Sequence, residues 1–294
     1  MKSGFISFIG RPNAGKSTLL NRIIGTKLAI VSDKPQTTRT RILGVKNYPD
    51  AQVVFLDTPG IHRPLHRMNV RMVDAAVDTI REVDVIGLVV DANEPPGKGD
   101  RFVQDLVQNA PAPVFLILNK VDLVRKPKLL PMLEQFGKTG LFAEIVPISA
   151  TTGDNVERLE RLIVDRMPEG VALYPDDYLT DQPERHMAAE IVREKLLQLT
   201  HAEIPFSSAV VIDRFEEATP DRPILRLFCS IVVDRESQKP IIVGRGGSMI
   251  KNIGTAARLD LEKFFGTRVF LDLHVRVKSE WREDDSVLND IGVK

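Results

Sequence analysis

The sequence holds a single cysteine, Cys229, among 294 residues. One thiol excludes an intrachain disulfide and a cysteine-rich zinc site, and it fits a reducing compartment. Net charge is also lacking: 40 basic side chains balance 40 acidic ones. No overall field therefore draws the chain to nucleic acid or membrane, and any such attraction has to come from a local patch. No apolar run approaches the ~18 residues that a membrane span requires. The opening Met1-Lys2-Ser3-Gly4-Phe5 leads into a stretch too short for a secretory signal core, with no small-residue cleavage site. The expectation is a cytoplasmic protein.

What the sequence does contain is an ordinary core-forming composition, 43% apolar and 27% charged. Its length suggests two domains of ~100–200 residues each. Over the first 165 or so residues, short apolar runs at Phe5–Ile9, Gln52–Leu56, Asp84–Val90, Val114–Leu118 and Glu144–Ile148 alternate with helix-compatible stretches. Strands alternating with helices predict an α/β domain with a mostly parallel sheet covered on both faces, to which 41–46 adds an edge strand. The rhythm breaks at 168–183, where Pro168, Gly170, Pro175 and Pro183 read as a linker. The organisation is thus 1–167, a linker 168–183, and a second domain 184–294. Beyond the linker the order is helix, strand, strand, helix, helix, strand, an α+β unit. Asp181 and Glu184 suggest a capping box for its first helix, and the acidic stretch 280–285 reads as a solvated helix or loop rather than a binding element.

Gly10-Arg11-Pro12-Asn13-Ala14-Gly15-Lys16-Ser17-Thr18 lies where a strand passes into a helix. Glycines let backbone N–H groups wrap a phosphate chain, and the helix start adds the positive end of its dipole. Lys16 is placed to reach the terminal phosphates and Ser17 to bind Mg2+. Asp57-Thr58-Pro59-Gly60 ends an apolar strand, so the Asp57 carboxylate can approach the metal and the Gly60 amide can sense a γ-phosphate. Asn119-Lys120-Val121-Asp122 ends another. A carboxylate at Asp122 accepts from both the ring N1–H and the 2-amino group of guanine; adenine offers neither donor, which disfavours an ATP enzyme. The Lys120 stem covers the base, Asn119 ties loops together, and Ser149-Ala150 offer small residues beside the guanine carbonyl.

This ordered set resembles the translation-factor-related branch of the Ras-like GTPases, over about residues 1–166. The resemblance implies GTP hydrolysis and assigns Thr38, with Thr37 a near-equal candidate, as the switch threonine that closes over magnesium; Lys16, Thr38 and Gly60 are its catalytic set. Many relatives carry a water-orienting glutamine after the Asp-x-x-Gly turn, whereas Ile61 stands here. Slow intrinsic turnover is expected. Asn13 matches a position that binds a monovalent cation in potassium-dependent relatives, so K+ is a candidate second cofactor.

In the second domain, Gly244-Arg245-Gly246-Gly247 precedes an amphipathic helix start. Gly-x-x-Gly between helices lets a nucleic-acid backbone come close, and adjacent apolar residues form a groove for unpaired bases. From 235 to 278 nine basic side chains stand against four acidic ones, a local patch. The arrangement resembles a KH domain of the second topological type. That resemblance maps RNA contacts onto Ile242, Gly244, Arg245, Gly246, Gly247 and Lys251; Phe264 and Phe265 are expected to face the core.

The two halves together resemble the Era family of bacterial ribosome-assembly GTPases across the whole chain. The resemblance implies a monomer that binds the 3′ end of 16S ribosomal RNA and assists maturation of the 30S subunit. Two other functions stand beside it: an RNA-binding scaffold in which GTP is structural, and a cell-cycle GTPase with peripheral contact to the inner membrane.

Overall fold

A computed structural model describes residues 1–61, 64–95 and 97–294. The chain divides into two compact units: Met1–Leu65 with Asn69–Asp181, and Gln182–Lys294 with His66–Met68.

The first unit holds strands β1 (Lys2–Ile9), β2 (Ile42–Tyr48), β3 (Ala51–Asp57), β4 (Val85–Asp91), β5 (Val114–Asn119) and β6 (Glu144–Pro147). They form one sheet in the order β2-β3-β1-β4-β5-β6. Only β2 runs antiparallel, against β3. Helices α1 (Lys16–Ile24), α2 (Arg67–Arg81), α3 (Lys98–Val107), α4 (Lys126–Gly137) and α5 (Val156–Arg166) connect the strands. Every residue of β3 and of β5 is buried, as a sheet covered on both faces demands. One apolar cluster joins Leu19, Leu20, Leu159 and Ile163 to one face; the other gathers Ala76, Val103 and Phe136 against Ile86 and Leu116. Sequence reasoning missed α4, because Pro127 in its first turn and Pro131 within it mask the helical pattern. Strand order reverses at β1, so a crevice opens outside the carboxyl ends of the central strands, where ligands bind in such sheets.

The segment read as a linker is fastened to the first unit. Val45 N–H donates to Leu179 O at 2.9 Å, and Thr180 Oγ1 donates to Leu43 O at 2.6 Å. Residues 179–180 thus lie along the free edge of β2.

The second unit contains α6 (Glu184–Leu199), a single turn α7 (Ile204–Ser207), β7 (Ser208–Glu216), β8 (Ile224–Val233), α8 (Lys239–Val243), α9 (Ser248–Phe265), β9 (Arg268–Val277) and α10 (Asp285–Asp290). Its sheet runs β7-β8-β9, antiparallel then parallel. Val192 and Leu196 of α6 and Ile253, Ala257 and Leu261 of α9 pack with Leu227, Cys229 and Ile231 of β8. The expected order of helix, strand, strand, helix, helix, strand is observed, with the short helices α7 and α10 in addition. Two local readings differ. Pro183, whose φ is locked, occupies the N-cap of α6, and no side chain caps that helix, so the capping box does not form. The 280–285 stretch is not merely solvated: Trp281 is fully buried and its Nε1–H donates to Ser207 O at 2.9 Å.

Candidate functional site

Three strand ends and one helix start converge at the crevice. Gly15 caps α1 in a left-handed conformation (φ 94°), no side chain caps the helix, and no acidic residue stands in its first turn. The first N–H groups of α1 therefore keep their donor capacity for an anion. A Cβ on Gly15 would fall on the Asn119 side-chain amide, and one on Gly60 would stand 2.7 Å from the Pro12 Cα. Glycine at both positions lets the phosphate-binding loop (P-loop) expected at 10–17 nest between the 57–60 turn and the 119–122 loop. The cleft so formed, of about 220 Å³, is lined by Asn13, Lys16, Ser17, Thr18, Thr38 and Gly60, among others.

Lys16 is buried and folds back on the loop, donating to Gly10 O at 3.2 Å and Arg11 O at 2.9 Å. Burial pulls its pKa down to about 8, against the charge of Asp57. Asp57, fully buried, is pushed up to about 6 by desolvation, a rise that Lys16, Ser17 and Thr38 oppose. Its Oδ2 accepts from Ser17 Oγ at 2.6 Å and from Thr38 Oγ1 at 3.4 Å. Ser17 Oγ and Thr38 Oγ1 lie 2.7 Å apart. Asp57 Oδ1 is buried with no hydrogen-bond partner. Two hydroxyls and a carboxylate with an unspent oxygen form a hard donor set that fits Mg2+. Thr37, the near-equal candidate, points elsewhere: its hydroxyl donates to Lys34 O at 2.5 Å.

At the end of β5, Asn119 behaves as a tie. Its Nδ2 donates to Ala14 O at 2.8 Å and its Oδ1 accepts from Ala150 N–H at 2.9 Å. Lys120 takes a left-handed backbone (φ 64°) and its Nζ donates to Asp91 at 2.6 Å. Asp122 is exposed. Ser149 is buried, and its Oγ accepts from Thr152 N–H at 3.1 Å. Asn13, also left-handed at φ 64°, donates from Nδ2 to Asp33 O at 2.7 Å. Ile61 is buried in the second-face core, and its N–H donates to Gly10 O at 3.0 Å, so its side chain orients no water.

In the second unit, Gly244, Gly246 and Gly247 have φ of 73°, 59° and 80° between α8 and α9. Arg245, Gly246 and Lys251 are exposed at the start of α9. No side chain caps this 18-residue helix, and its first turn carries no acid. Exposed cations beside open N–H groups make an anion-binding corner. Ile242 corrects its expectation: it is fully buried in the core of this unit, whereas its neighbour Ile241 is 47% exposed. α8 is only five residues long, too short for periodicity to reveal which isoleucine faces inward. Phe265 packs against the core, edge-on to Phe215 at 6.0 Å, but Phe264 is 41% exposed, against expectation.

Two family models match the chain: one described as 50S ribosome-binding GTPase over residues 5–120, and a KH domain over 203–282. GTPase Era of Geobacter metallireducens is 50% identical over 291 residues, 99% of this chain and 97% of that protein. The chain belongs to the Era family. GTPase Era of Staphylococcus haemolyticus is 46% identical over 99% of this chain and 97% of that protein. The fold is that of solved Era structures. Era in complex with MgGDPNP and nucleotides 1506–1542 of 16S ribosomal RNA superposes with a TM-score of 0.96 at 41% identity, covering 100% of this chain and 99% of that one. A variant of Aquifex aeolicus Era bound to GDP·AlF4− gives 0.95, with the same identity and coverage.

Some residues of this Era-family chain that shape the site escaped sequence reasoning. Arg22, in the last turn of α1, donates from Nε to Ala150 O at 3.1 Å and from Nη2 to Thr151 O. One helix thereby links Lys16 and Ser17 at its start to the Ala150–Thr151 loop at its end. Asp91, the partner of Lys120, ends β4. A lone arginine or aspartate outside any motif carries no sequence signal; only the sheet brings these groups to the cleft.

Proposed function

We propose that this chain is a GTP-hydrolysing switch that binds the 3′ end of 16S ribosomal RNA and assists maturation of the 30S subunit. The observation that carries the GTPase half is the convergence of Ser17, Thr38 and Asp57 beside buried Lys16, across the cleft from the Asn119–Asp122 loop. In this proposal the P-loop amides, with Gly10, Asn13, Ala14, Gly15 and Thr18, cradle the phosphates, and Lys16 offsets charge as it develops on the transferred group. Ser17, Thr38 and Asp57 would hold Mg2+, which would supply charge neutralisation to the phosphates. Asn119, Lys120 and Asp122 with Ser149 and Ala150 receive guanine. Thr38 and Gly60 close on the triphosphate and relax after hydrolysis.

With Ile61 buried, positioning and electrostatics carry the hydrolytic step. Asn13 Nδ2 donates to the Asp33 carbonyl, and we infer that the Asn13 side-chain oxygen would help hold a potassium ion, which would supply positive charge to the transferred phosphoryl group. Turnover in KCl should exceed that in NaCl by roughly tenfold or more, the order of a lost electrostatic stabiliser. Equal rates in the two salts would remove the ion from the mechanism.

The RNA half rests on the Gly244–Gly247 corner, with Arg245 and Lys251 exposed, and on the family relative solved with nucleotides 1506–1542. Its test is the affinity for an oligonucleotide of that 3′ end, measured with GDP and with a non-hydrolysable GTP analogue at one fixed salt concentration. Binding about tenfold tighter with the analogue is expected, a coupling of ~1.4 kcal/mol. Equal affinities would favour the scaffold, in which GTP is structural.

A further inference from the structure

The segment 173–180 has the composition of a tether and the anchoring of a structural element. Gln52, fully buried on β3, binds it with both ends of its amide. Gln52 Oε1 accepts from Leu173 N–H at 2.7 Å and Tyr174 N–H at 2.9 Å, and Nε2 donates to Tyr174 O at 2.9 Å. The remaining Nε2 proton reaches Asn47 Oδ1 at 2.9 Å, and Asn47 Nδ2 donates to Asp176 O at 2.8 Å. Two further bonds, from Val45 N–H and to Leu43 O, tie Leu179 and Thr180 to β2. Tyr174 and Tyr178 stack at 4.7 Å and pack on the second-face core. A buried glutamine is tolerated only when its amide is fully paired, and here the strap's backbone supplies most of the pairing.

The strands that hold the strap also have an end beside the Ser17, Thr38 and Asp57 cluster. β3 terminates in Asp57, and β2 starts at Ile42, four residues after Thr38. Leu43 and Val45, the anchors on β2, therefore lie just beyond the loop that carries Thr38. At its other end the strap runs within a few residues into Glu184, the start of α6. We propose that residues 173–180 are a transmission strap, clipped by Gln52, through which the state of the Thr38 loop reaches the RNA-binding unit. When Thr38 is drawn onto the triphosphate, the first residues of β2 shift and the strap shifts with them; when Thr38 is released, they return. This rests on the proposed nucleotide switch.

The test uses the full chain as wild type, as Gln52→Ala, and, should Gln52→Ala fail to fold, as an Asn47→Ala/Thr180→Val double variant that leaves Gln52 bound to Leu173 and Tyr174. Oligonucleotide affinity is measured with GDP and with the non-hydrolysable analogue, alongside GDP affinity and RNA-free turnover. In the wild type the two affinities should differ about tenfold; in either variant the ratio should fall below about threefold. GDP affinity and basal turnover should stay within about twofold of wild type, since Gln52, Asn47 and Thr180 line no part of the cleft. Folded variants that keep the wild-type ratio would overturn the strap. A wild type with no ratio at all would overturn the switch itself and the strap with it, an outcome visible before any variant is made.

Discussion

Asp122→Asn should lose GDP affinity by roughly 10³-fold or more and gain affinity for XDP. A site built around hydrogen-bonding groups rejects a mismatched ligand by on the order of 10⁴. The carboxylate accepts two hydrogen bonds from guanine, from N1–H and from the 2-amino group. An asparagine offers one acceptor and one donor, so its amide N–H opposes the 2-amino donors of guanine but matches the 2-oxo group of xanthine. Asp122 is exposed, and no described residue bonds its carboxylate, so the exchange should leave the fold intact. The measurement is competition between GDP and XDP for the purified variant. Retention of wild-type GDP affinity would mean that the base lies elsewhere and that the Asn119–Asp122 loop has been misassigned.

Gly246→Asp should weaken oligonucleotide binding about 30-fold or more at near-physiological salt, as a carboxylate placed where a phosphate approaches both repels it and blocks the close backbone. The site has room for the side chain itself. Nothing lies within 4 Å of a Cβ built on Gly246, whose φ is 59°, and aspartate is among the residues that accept a left-handed backbone. GTP turnover without RNA should be unchanged. Fluorescence anisotropy with a labelled 16S 3′-end oligonucleotide reads the first effect and phosphate release the second. Undiminished RNA affinity would move the RNA site away from the Gly-x-x-Gly loop, leaving the GTPase half standing.

How legible each part was depends on whether its chemistry is local in the chain. Gly10–Thr18, Asp57–Gly60, Asn119–Asp122 and Ser149–Ala150 each follow a strand whose apolar run is easy to see, so motif and context could be read together. The switch threonine was harder. Thr37 and Thr38 sit side by side in a loop, and only the geometry separates them: Thr38 Oγ1 meets Ser17 and Asp57 while Thr37 turns to Lys34 O. The KH element order was legible from alternation and from the Gly-rich punctuation before α9. Ile242, fully buried, and Ile241, exposed, are indistinguishable in the sequence because one short turn of helix has no period to measure.

The sequence by itself determined the two-part architecture, the nucleotide motifs and the polarity of the cleft, because strand–loop–helix signals and Gly-rich phosphate loops act over fewer than about ten residues. Only tertiary structure decided which of those motifs meet and what holds them. Arg22 on the Ala150 carbonyl, Asn119 between Ala14 and Ala150, and Gln52 on the strap are all long-range contacts. Their partners lie up to 128 residues apart in the chain. The strand order β2-β3-β1-β4-β5-β6 creates these meetings. Hydrogen bonds between side chains and distant backbone leave no periodic trace, since each polar residue is free to point anywhere until the sheet places its partner within about 3 Å.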